Sequence, residues 1–95
     1  MAMPIWVYHL DEFRLVSDYD FNYTINELIG IAVSKAEELG MKPVAVCRLE
    51  IGDDTVIEVR GEDGQAMKLI KAKDSIEALR RFYENERGLT CFSVS

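Results

Sequence analysis

One histidine, two cysteines, two prolines and one tryptophan in 95 residues leave little material for catalytic or metal-binding motifs. His9 is the lone imidazole, and neither HxH nor HExxH spacing surrounds it, so no metal signature is present. Cys47 and Cys91 stand far apart without CxxC spacing, which excludes a disulfide framework and a zinc knuckle. A reducing, cytoplasmic compartment is therefore expected; the two thiols could bridge only if the fold brought their Cα atoms within ~7 Å. Neither cysteine has a neighbouring base in sequence that would make it a nucleophile. No apolar run approaches the ~20 residues of a membrane-spanning helix. The run Pro4–Leu10 has no basic flank and no small-residue cleavage site, so it reads as a strand and not as a signal peptide.

Phosphate loops are lacking as well. Gly52, Gly61 and Gly64 are separated by acids that would repel phosphate. Asp18-x-Asp20-x-Asn22 opens like a calcium loop, but the glycine and the closing glutamate are absent from the required places. No cofactor is implied.

What the chain does have is acid. Seventeen Asp and Glu against eleven Lys and Arg give a net charge of −6. Residues 1–40 hold −5 of it, and residues 41–95 only −1. Such a field repels phosphate backbones and anionic membranes and favours a basic partner. The 48% hydrophobic and 29% charged residues fit one compact domain over residues 1–95 with a modest core.

Residues 4–10 are rich in aromatic and β-branched types and predict a strand. A two-residue turn at Asp11-Glu12 would return the chain so that Leu10 meets Phe13 and Tyr8 meets Leu15. Residues 17–23 alternate polar with aromatic and read as a loop. Thr24-Ile25-Asn26-Glu27 is a capping box, and Ile25, Leu28, Ile29, Ala32, Val33, Ala36 and Leu39 recur at helical spacing up to Gly40.

Three strands follow, Val44–Ile51, Thr55–Arg60 and Gln65–Ala72. Three-residue loops at Gly52–Asp54 and Glu62–Gly64 would pair Cys47 with Val59, Leu49 with Ile57, and Ile57 with Leu69. These registers set Arg48, Glu58 and Lys68 in one row on the face opposite the core, where they read as register-fixing ion pairs. A second helix, Ser75–Arg87, is capped by Asp74 and would bury Ile76, Leu79, Phe82 and Tyr83. A last strand, Leu89–Val94, reaches nearly to the end of the sequence. The order is β-hairpin–α–β–β–β–α–β. The fold class is α+β, a mainly antiparallel sheet with two helices on one face.

The helix–meander–helix segment has the element order of a double-stranded-RNA-binding domain, and Lys71, Lys73, Arg80 and Arg81 lie near its second helix. Interleaved Asp74, Glu77, Glu84 and Glu86 and an isoelectric point near 4.7 oppose that function, so nucleic acid is not an expected partner. Membrane contact is not expected either.

Two surfaces stand out. Val44, Val46, Val56 and Ile70 fall on the predicted outer face of the meander, where contiguous apolar residues mark an interface. Trp6, Tyr8, His9 and Tyr83 could wall a small-ligand pocket between helices and sheet. The function expected is a non-enzymatic protein-interaction domain: a homodimer, or an acidic adaptor, inhibitor or regulator. The alternative is a small-ligand-binding protein or minor enzyme.

Overall fold

The computed structural model describes residues 3–17 and 23–94. The expected loop at 17–23 and the Asp18-x-Asp20-x-Asn22 run lie mostly or wholly outside them. The elements are β1 (Ile5–His9), β2 (Glu12–Ser17), α1 (Ile25–Glu38), β3 (Pro43–Ile51), β4 (Asp54–Gly61), β5 (Ala66–Lys71), α2 (Ser75–Glu84), a short 3-10 turn (Glu86–Gly88) and β6 (Thr90–Ser93). The class is α+β, and the order of strands and helices is the one the sequence predicts. All six strands join one antiparallel sheet, in the spatial order β2-β1-β5-β4-β3-β6.

Local chemistry explains the helix ends. Thr24 and Glu27 close the capping box from both sides, each bond 3.2 Å long. At the other end Gly40 takes φ +84°, and its N–H and that of Met41 donate to Glu37 and Ala36, each at 3.0 Å. That doubled closure is a Schellman motif, and it needs a left-handed residue that glycine adopts without strain. Asp74 caps α2 through two backbone N–H groups.

The strand turns differ in one case that decides the architecture. Between β4 and β5, Gly64 sits at φ +84°, and Val59 pairs with Met67 and Ile57 with Leu69, as expected. Between β3 and β4 the connection is two residues, Gly52-Asp53, with Gly52 at φ +60° in the first turn position. A primed turn of this kind matches the twist of the strands it joins. It slips the expected register by one. Cys47 therefore stands opposite Glu58, Leu49 opposite Val56 and Val46 opposite Val59. A slip of one residue exchanges the faces of a strand.

Two cores result. Val46, Ile57, Val59, Met67 and Leu69 point to one face with Ile5 and Val7, and α1 covers them with Leu28, Ala32 and Ala36. Leu49, Val56, Ile70 and Ala72 point to the other face, under Ala78, Leu79 and Phe82 of α2. The helices thus lie on opposite faces of the sheet, correcting the expectation that both share one. Residues 55–59 are buried throughout because both faces are covered. On α2, Ile76 is 70% exposed and Ala78 takes its place in the core.

The β1–β2 turn also moves. Its central residues are Leu10 and Asp11, at φ +51° and +61°. Tyr8 faces Phe13 and Trp6 faces Leu15, so Leu10 is left in solvent at the tip. A shift of this parity preserves the faces, which is why the pattern of side chains alone did not place it. Tyr8 donates to Asp11 at 2.9 Å across the turn.

Candidate functional site

The registers assemble one row across all six strands on the α2 face. In order it runs Phe13, Tyr8, Lys68, Glu58, Cys47, Cys91. Each member faces the next because antiparallel partners share a side of the sheet. Three kinds of contact occur along it.

At one end Tyr8 and Phe13 are tilted rings with centroids 4.6 Å apart. In the middle Lys68 Nζ lies 5.8 Å from the Tyr8 ring and 5.5 Å from that of Tyr83 on α2. The same amine pairs with Glu58 Oε2 at 3.3 Å, and Arg60 Nε holds Oε1 at 2.6 Å. Glu58 and Lys68 are 8% and 6% exposed, so the pair is shielded from water. A lysine held between a carboxylate and two aromatic faces is placed for charge pairing and cation–π contact. Glu58 and Lys68 stand together as expected, but Arg48 does not join them. It faces Ile57 on the other side, and Arg60 takes its part.

At the far end Cys47 and Cys91 form a disulfide, their Cα atoms 4.0 Å apart across β3 and β6. The expectation of two separate reduced thiols is corrected. Cys47 belongs to the α2 face through the slipped register, and β6 docks beside it. Cys47 is completely buried and Cys91 is exposed.

The expected ligand pocket is not assembled. Tyr8 and Tyr83 do meet, around Lys68. Trp6 lies one row away in the second core, against Ile70. His9 is on the opposite face, paired across the hairpin with Glu12. There it lines a cleft of about 240 Å³ with Val7, Leu10, Glu12, Arg14 and Leu39. Its Nε2 is enclosed and bonds to no described residue.

The expected interface is likewise dispersed. Val46, Val56 and Ile70 are 0%, 3% and 0% exposed. Val46 lies under α1, the other two under α2. Only Val44, 43% exposed, remains at the surface. The other exposed large apolar groups among the described residues lie elsewhere, at Leu10, Leu15 and Val16 of the β1–β2 hairpin, at Leu39 after α1, at Ile76 and Tyr83 of α2, and at Phe92 on β6.

The sheet's two edges differ. β2 pairs with β1 on one side, and no described strand pairs with its other side. β6 is the opposite edge, fastened to β3 by the disulfide. Among the described residues, no three of His, Cys, Asp and Glu group as metal ligands, and no helix is long and apolar enough to cross a membrane.

No family model, curated protein or solved structure matches this chain.

Proposed function

We propose that the protein is a non-enzymatic interaction module, and that it associates with a second copy of itself along β2. One observation carries this reading. β2 is an edge strand of six residues with Leu15 48% and Val16 37% exposed, one on each face. An edge with unpaired N–H and C=O groups and apolar flanks is a template for another strand. The ladder with β1 shifts register at Val16, where Ile5 pairs with Ser17 and Trp6 with Leu15, so the regular free edge is the stretch Glu12–Leu15.

The strand is also complementary to itself. An antiparallel pairing about Phe13 would set Glu12 of each copy against Arg14 of the other. Self-complementarity of that kind is what a two-fold interface requires. The test is light scattering over a concentration series, with Leu15→Lys as the variant, since a half-exposed side chain can change without loss of the fold. A dimer that Leu15→Lys converts to monomer supports the proposal. A strict monomer at all concentrations counts against self-association and turns the search to foreign partners of the acidic surface.

A second reading rests on the His9 cleft. An enclosed imidazole nitrogen without a partner among the described residues, beside Glu12 and Arg14, suits a small polar ligand. A thermal-shift screen of small acids and amines, repeated with His9→Ala, tests it. Absence of any shift in the parent protein ends it.

A further inference from the structure

We propose that the Cys47–Cys91 disulfide is a thiol-exchangeable latch on the β6 edge, with Cys91 the sulfur that a small monothiol of the glutathione type attacks. The inference is independent of association at β2, which lies at the other edge of the sheet.

Access selects the sulfur. Cys47 is 0% exposed, whereas Cys91 lies on a strand whose four side chains all face solvent. Exchange runs through attack on the sulfur that the thiolate can reach, and its rate rises as the departing thiol becomes more acidic. The departing sulfur would be that of Cys47. It leaves next to Glu58, its partner across β3 and β4. That carboxylate is already held by Arg60 and Lys68, so its charge is offset by two cations where the sulfur departs.

The balance is as follows. A monothiolate forms a new S–S bond with Cys91, and the bond between Cys91 and Cys47 breaks. Its electron pair goes to the Cys47 sulfur, which takes a proton from water. A second monothiolate attacks the adduct and leaves as the small-molecule disulfide, and Cys91 departs as the thiolate. Two thiols are oxidised and one protein disulfide is reduced.

The structural consequence follows from how β6 is held. Its main neighbour is β3 alone. Apart from the ladder and the disulfide, it is anchored at its ends, by Leu89 packed against the second core and by Val94, whose N–H donates to the Val44 carbonyl at 2.9 Å and whose side chain reaches the first core. Without the covalent link a four-residue strand with exposed side chains is held only by its ladder to β3 and these two ends, and its fraying would open the edge of β3. Strands of this kind occupy the low-stability end of a fold.

The test uses the oxidised protein in native buffer with reduced glutathione, followed by peptide mass mapping. The expected result is the glutathione adduct on Cys91 with Cys47 carrying a free thiol, at least tenfold over the reverse. An adduct mainly on Cys47, an even split, or no exchange short of denaturant overturns the proposal. Hydrogen exchange on the fully reduced protein supplies the second arm. Amides of β6 and the outer amides of β3 should exchange faster, with β1, β4 and β5 unchanged. Global unfolding on reduction, or no change at β6, refutes the latch. Arg60→Gln, at a half-exposed position, should slow exchange about threefold; an unchanged rate removes the ion cluster from the step.

Discussion

Arg81 of α2 reaches Asp54 at the start of β4, with Nη2 3.0 Å from Oδ2, and donates from the same nitrogen to the Ile51 carbonyl at 3.0 Å. One guanidinium thus ties the second helix to both strands of the β3–β4 hairpin. On sequence spacing Arg81 belongs with Glu77, but Glu77 is taken by Arg80, which bridges Glu77 and Glu84 along the exposed side of α2. The division is geometric: Arg80 faces water, whereas Arg81 faces the sheet.

Arg81→Met is therefore expected to lower stability by about 1–2 kcal/mol, since it breaks a partly buried ion pair and a charged bond to a carbonyl while keeping the apolar stem. Asp54→Ala should lower it by less, because the Ile51 bond survives. Urea denaturation of both variants gives the comparison. Equal losses, or none for Arg81→Met, would show that apolar contacts alone seat the helix.

Leu10→Asn is expected to stabilise the protein. Leu10 holds φ +51° in the first turn while its side chain is 72% exposed, so it has left-handed strain and little packing to lose. A leucine pays ~1–2 kcal/mol for that conformation, and asparagine tolerates it better. A gain of about 0.5–1 kcal/mol should raise the melting temperature by several degrees in a domain of this size. A melting temperature that falls would mean that Leu10 makes a contact outweighing its backbone.

How much of this could be read from the sequence depended on whether a residue type forced the backbone. Thr24, Glu27 and Gly40 forced the ends of α1, and Gly64 forced the β4–β5 register. Gly52 did not decide its turn, because a glycine serves both a two-residue and a three-residue connection. The adjacent apolar pair Val56-Ile57 then raised no objection, since strands covered on both faces lose their alternation. That slip exchanged the faces of Val46, Cys47, Arg48 and Leu49, whereas Val56 and Ile70 lie on the face expected for them and are buried because α2 covers it. The site shares this history. Glu58 and Lys68 were legible because Gly64 fixed their register. Arg60 was not, because the expected β3 register set Arg48 beside Glu58 instead, and the disulfide was not, because it depends on β6 pairing with β3.

The hairpin should lose stability in alkali. The Tyr8 phenol is held above its ordinary value of 10.0, first by its hydrogen bond to Asp11, then by burial and by the Asp11 charge. A folded-state value above the unfolded one means that the folded form keeps its proton longer. The stability it contributes is complete below the unfolded value and is lost as pH rises through the folded one. Denaturation midpoints should accordingly fall above about pH 10 in the parent and less steeply in Tyr8→Phe. In Asp11→Asn, absorbance at phenolate wavelengths should show the Tyr8 contribution at lower pH. A titration indifferent to Asp11 would refute the hydrogen bond as its cause.

Glu58 and Lys68 offer the sharpest energetic test, because their desolvation is nearly complete on both sides. Bringing two charges out of water is unfavourable, and their attraction offsets this only while both remain. Glu58→Leu leaves an ammonium between two tyrosine rings with no carboxylate, so a loss of about 3–5 kcal/mol is expected. Lys68→Met should lose less, since Arg60 still holds Glu58 at 2.6 Å and its half-exposed guanidinium keeps the carboxylate solvated. The double variant Glu58→Leu with Lys68→Met removes both charges together and replaces them by groups of similar volume against Tyr8 and Tyr83. It should recover most of the Glu58→Leu loss, the non-additivity being the coupling between the pair. Should the single losses simply add, the two side chains do not interact across β4 and β5, and the row through Cys47 would be a matter of register without electrostatic content.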